Sequence, residues 1–260
     1  MRTKATMPLL ALVGAALPAF GAAGQAVEVR VTVENLAPTN SVAFAPLRVG
    51  FHNGTYDAFD NGAAATAPII SIAEGGSGSD WFPAFEAADP SATLGSVFPD
   101  PAGPLLPGAT GTAVFSVDPS INPYFTFASM VVPSNDYFIG NDSPTQYQLF
   151  DTKGNLQISS ITQTGDDIWD AGSEVDGAFG AAFLEGSTNA DRIDENGVVE
   201  FDFQDLDVFN GLTTAAGYTF DRQFGGGDEV YRISFEVVPA PSTAALAGLG
   251  GLVMTRRRRR

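Results

Sequence analysis

Every second residue is apolar along Val27-Glu28-Val29-Arg30-Val31-Thr32-Val33-Glu34, and the same beat returns near the other end at Tyr231, Ile233, Phe235 and Val237. A period of two sends side chains alternately to opposite faces, which a helix cannot do, so both stretches predict half-buried β-strands. The residues between them repeat the theme. Segments 42–51 (interrupted by Pro46), 112–117 and 199–203 read as further strands. Segments 147–150 and 156–159 flank Asp151-Thr152-Lys153-Gly154-Asn155 and predict a hairpin. Residues 124–132 are almost continuously apolar, which predicts a central strand buried on both faces. Helical spacing is confined to residues 69–74 and 81–88, residues 99–107 form a Pro-rich loop, and 178–210 reads as a long excursion holding one or two strands. Many short strands punctuated by turns predict an all-β protein, an antiparallel β-sandwich with one or two short helices in its loops.

The two ends do not belong to that domain. Arg2 and Lys4, an apolar stretch from Met7 to Phe20 and small residues through Ala26 make residues 1–26 a secretory signal peptide, with cleavage options near Ala23 or Ala26. At the other end, Val238-Pro239-Ala240-Pro241 precedes an apolar stretch from Ala244 to Met254 and five arginines, Arg256 to Arg260. That apolar stretch is shorter than a membrane-spanning helix requires, and the arginines would hold the tail on the cytoplasmic side. Residues 238–260 resemble the PEP-CTERM sorting signal, with Ala240 in place of the usual glutamate. The resemblance implies an exosortase-type processing enzyme, transient membrane contact through the C-terminal segment, and delivery to the outer surface or matrix of a Gram-negative-type bacterium. A domain over residues 27–237 remains. Seven of the thirteen basic residues lie in the two end segments and all thirty acidic ones lie between them, so the domain carries a net charge of −24. Such a surface repels nucleic acid and attracts divalent cations. Nineteen of the twenty Phe and both Trp lie in this domain and provide enough apolar surface for a packed core. With no Cys, disulfides, thiol catalysis and thiolate metal sites are excluded.

Two acidic loops carry the candidate chemistry. Pro133 cannot continue a central strand, so the chain must leave the sheet after Val132, placing Asp136 in a strand-end loop before Tyr137-Phe138-Ile139 returns to the core. Trp169 ends another apolar run, and Asp170-Ala171-Gly172-Ser173-Glu174 follows it, its small residues able to bring carbonyls near an ion. Asp136, Asp170 and Glu174 together could provide the charged part of a calcium shell, with Asp142, Asp166, Asp167 and Asp176 in reserve. From spacing alone the alternative is plain solvated turn acids.

The segment Ser129-Met130-Val131-Val132-Pro133-Ser134-Asn135-Asp136-Tyr137-Phe138-Ile139-Gly140, followed by Trp169-Asp170-Ala171-Gly172-Ser173-Glu174, resembles the spondin N-terminal domain. Residues 31–36, 72–76 and 150–155 support the resemblance, which extends over residues 27–237. It implies a C2-like antiparallel sandwich with calcium at one end, a role in adhesion or matrix contact, and metal ligands at Asp136, Asp170 and Glu174. Glu174 stands where the animal proteins have aspartate.

Other motifs carry less. Residues 191–197 lack the acid spacing of a calcium-binding helix–loop–helix and read as a hairpin turn. His52, the single histidine, reads as structural, and Gly225-Gly226-Gly227 as a flexible loop. Asp202, Asp205 and Asp207 would be the paired carboxylates of a hydrolase, although Asp202 alternates with Phe201 and Phe203 as a solvent-facing strand residue does. The expected function is therefore non-enzymatic: an exported calcium-binding sandwich acting in surface or matrix adhesion, with a matrix polysaccharide or surface protein as partner. A secreted carbohydrate-active hydrolase and a purely structural matrix protein are the alternatives.

Overall fold

The computed structural model describes residues 25–239. All but the last two residues of the expected signal peptide, and all but the first two of the expected sorting segment, lie outside the described residues. In chain order the elements are β1 (Val27–Asn35), β2 (Ala43–Phe44), β3 (Leu47–His52), α1 (Ala67–Gly75), α2 (Trp81–Ala88), β4 (Thr93–Val97), β5 (Thr110–Val117), β6 (Tyr124–Val132), β7 (Tyr137–Gly140), β8 (Ser160–Thr164), β9 (Ile168–Asp170), β10 (Glu200–Phe201) and β11 (Glu229–Val238). They form two antiparallel sheets, one in the order β5-β1-β11-β8 and the other β10-β9-β7-β6-β3-β4, with β2 pairing β6 beside the main path. The all-β sandwich expected from the alternation is present, and the two alternating segments β1 and β11 are direct neighbours, Glu28 opposite Val238 and Asn35 opposite Tyr231.

Between the sheets, Val29, Val31 and Val33 of β1 and Tyr231, Ile233 and Phe235 of β11 meet Val49, Phe51, Phe125, Phe127, Tyr137 and Ile139 of the second sheet. The outer face of that second sheet is covered as well. Ile69, Ile72, Ala73, Trp81 and Phe85 of the two helices pack with Ala128, Phe138 and Trp169. This explains why β6 lost its alternation: Phe125, Phe127 and Val131 face the other sheet, whereas Ala128 lies under the helices and Met130 and Val132 join a small cluster with Ala43.

Helix α1 begins at Thr66, whose hydroxyl caps Ile69 N, and stops where Gly76 turns left-handed (φ 59°) and returns its N–H to Ile72 O. Its last turn holds no basic residue. Two distant arginines serve instead, Arg48 donating to Gly76 O at 2.6 Å and Arg192 to Glu74 O, a favourable pairing of cations with the negative helix end.

The hairpin expected around residues 151–155 is not a regular one. Asp151 closes a tight turn on Lys153 N and Asn155 N, and its arms are joined by the bridge of Phe150 to Leu156 and the bond from Gln157 N to Leu149 O, without extending into regular strands. Asp151 satisfies the backbone locally, and the ladder goes instead to β8, which pairs with β11. The strand expected over 199–203 is reduced to the two residues of β10.

Candidate metal centre

Asp136 lies in the short link between β6 and β7, where Ser134 Oγ bonds back to Val131 O and accepts from Tyr137 N. The loop is not a projecting one: Asp136 is fully buried. Its Oδ2 accepts from Ser173 N (2.6 Å), Ser173 Oγ (3.0 Å) and Glu174 N (2.9 Å), and its carbonyl accepts from Ala171 N (3.2 Å). Register brings the second segment here, because β7 pairs β9 with Tyr137 opposite Asp170. The sequence-expected juxtaposition of Asp136 with Asp170 and Glu174 is thus a consequence of one strand pair.

Beyond Asp170, whose Oδ1 accepts from Gly172 N, the backbone turns left-handed at Gly172 (φ +61°). A Cβ there would stand 2.7 Å from the Val198 backbone, so glycine is required for close approach to residues 197–198. The Gly172 carbonyl accepts from Gly197 N. Gly172 thus serves the packing of this loop against residues 197–198. Glu174 is buried, with Oε1 3.0 Å from Arg192 Nε. The same guanidinium meets Glu74 Oε2 at 3.0 Å. Asp176 is fixed through Oδ2 by the Tyr137 hydroxyl at 2.8 Å. Asn135 holds the following turn, accepting from Gly177 N and donating to Phe179 O.

One oxygen of each of three carboxylates is buried without a partner: Asp136 Oδ1, Glu174 Oε2 and Asp176 Oδ1. Burial pushes Asp170 up to about 8, with the charge of Asp136 adding to it, and pushes Asp176 up to about 6. Asp136 is raised too, its burial outweighing three hydrogen bonds, and Glu174 is raised by burial, partly offset by Arg192. Among the described residues no three Asp, Glu or His side chains converge as they lie into a closed ligand set.

Of the reserve acids, Asp176 is the one brought to this cluster. Asp142 follows the far end of β7, and Asp167 accepts from Thr164 ahead of β9. His52 is buried, bonded to Thr126 Oγ1 and accepting from Gly54 N, with its basicity lowered to about 4 by burial. Asp202 Oδ1 accepts from Gln204 N and Asp205 N, and both oxygens of Asp207 are taken by Arg222. Sequence reasoning missed Arg192, Glu74 and Tyr137. Arg192 was the most detectable, as one of only six basic residues in the domain and set among the acids of 191–197.

A two-sheet antiparallel sandwich whose connections gather buried carboxylates at one point is the class that fold and site define. The family model described as Spondin_N matches residues 33–184, more than half of the chain, and the chain belongs to that family. Membership places it among extracellular, adhesion-type domains. No curated protein matches the chain.

Proposed function

We propose that this is an exported, non-enzymatic adhesion domain in which calcium pins the Asp136 loop to the 170–176 loop. The observation that supports the reading is the set of buried carboxylate oxygens left without partners around Asp136, since a buried unsatisfied charge is costly unless a counter-ion meets it. Asp136 and Asp170 would hold the ion together with a further carboxylate of the second loop, a place the family pattern gives to Glu174. Calcium, which takes six to eight oxygens, supplies the positive charge that offsets the repulsion of these groups and leaves positions for an outside oxygen. The protein's own part is to hold the two loops in register through β7 and β9 and to exclude water from Asp136. The partner in this reading is a matrix polysaccharide or a surface protein. The C-terminal segment brings the chain to the outer surface through transient membrane contact and an exosortase-type enzyme.

Thermal unfolding in calcium and in chelator tests the reading. Calcium at a hundredfold over its Kd adds about 2.7 kcal/mol, a rise of roughly 5–10 °C for a domain of this size. Asp136→Ala or Asp170→Ala abolishes that rise. Identical melting curves with and without calcium would refute the proposal.

A further inference from the structure

We infer that the third carboxylate of this cation site is Asp176, and that Glu174 is a strut which, with Arg192 and Glu74, ties the loop to the C-terminal end of α1. The inference rests on the calcium reading above and departs from the family pattern, which points to Glu174.

Glu174 already has a cation. Its Oε1 is 3.0 Å from Arg192 Nε, and that guanidinium also meets Glu74 Oε2 at 3.0 Å and the Glu74 carbonyl. All three side chains are largely shielded from water, so an ion seated on Glu174 would stand beside a positive charge that solvent screens little. The position of Arg192 lies beyond the residues that match the family model, so the pattern carries no information about it.

Asp136, Asp170 and Asp176 each adjoin Tyr137 instead, without forming a closed ligand set as they lie. Asp136 is there by sequence, Asp170 by strand register, and Asp176 by the hydrogen bond from the Tyr137 hydroxyl at 2.8 Å. Among the described residues no ion pair joins any of these three to Lys or Arg. Asp136 is fully buried with Oδ1 unpartnered, and Asp176 Oδ1 is unpartnered as well. Asn135 anchors the backbone on the far side of Asp176 through Gly177 and Phe179. Asp170 and Asp176 are half-buried, and in this proposal the ion draws their carboxylates from Gly172 N and the Tyr137 hydroxyl toward Asp136 Oδ1.

The test is calorimetric titration of the full chain with calcium chloride, repeated for Asp176→Asn and Glu174→Gln, with melting temperatures of each in chelator. Asp176→Asn weakens calcium binding by more than about tenfold, beyond the lower end of what loss of an outer-shell partner costs, while its melting temperature in chelator equals or exceeds that of the unaltered chain because a repelling carboxylate is gone. Glu174→Gln leaves calcium affinity within about threefold, below that same range, but lowers the melting temperature with or without calcium, and Arg192→Gln does the same. If Glu174→Gln abolishes binding, or Asp176→Asn binds as the unaltered chain does, the assignment of Asp176 is overturned and the calcium reading stands. If the unaltered chain does not bind calcium, both fall.

Discussion

The carboxylates around Tyr137 have a pH signature opposite to that of a salt-bridged acid. Asp170 is raised to about 8 and Asp176 to about 6, by burial first and then by the charge of Asp136. A carboxylate raised in the folded state binds more protons there than in the unfolded chain, so its contribution is intact below the ordinary value near 4 and is lost as pH climbs through the folded value. In chelator, the melting temperature should therefore fall steadily from pH 5 to pH 8, and saturating calcium should flatten that slope. A chelator profile that rises over the same interval would contradict the burial of these groups. Asp136 was legible from the sequence as a strand-end acid, but its complete burial was not. Nothing local in Ser134-Asn135-Asp136 says that the N–H groups of Ser173 and Glu174, some forty residues on, will close over it.

At the scale of elements, legibility followed periodicity and burial. Strands β1, β6 and β11 and helix α2 stand where alternation, continuous apolarity and helical spacing predicted them, because each carries apolar faces that packing against neighbouring layers buries. Strand β4, with Gly95 at its centre and four of its five residues half-exposed, gave no such signal, since an edge strand is held mainly by backbone bonds to β3. The pairing of Arg192 was illegible for a related reason. Its partner Glu74 is 118 residues away, a distance that no local pattern encodes. Helix α2 matters to the second sheet through Phe85, which stacks on Tyr56 at 4.0 Å and meets His52 edge-on. Phe85→Ala should cost about 3–5 kcal/mol, as large buried aromatics do, read as a lower denaturant midpoint. A loss below 1 kcal/mol would mean that the helical layer contributes little to the sheet beneath it.

At the scale of the whole domain, residues 27–237, thirty acidic residues against six basic ones make self-repulsion the dominant long-range force. Raising sodium chloride in chelator should increase the melting temperature, since the screening length falls to about 10 Å at 0.1 M salt. Calcium should exceed that increment at equal ionic strength, and a melting temperature that falls with salt would contradict the repulsion argument. The direction of β11 has a mechanical meaning. Val238 sits opposite Glu28, at the end of β1 remote from Asn35. Asn35 reaches Val42 and Leu105, beside β2, and β2 pairs the end of β6 from which the Asp136 loop departs. The C-terminal exit and the acidic loops are therefore at opposite ends of the sandwich. A pull between a C-terminal tether and something gripped at those loops would run lengthwise along β11, which is flanked by β1 and β8. Its ladder bonds would then be loaded together in shear instead of being unzipped in turn, so the geometry favours a domain that holds under tension.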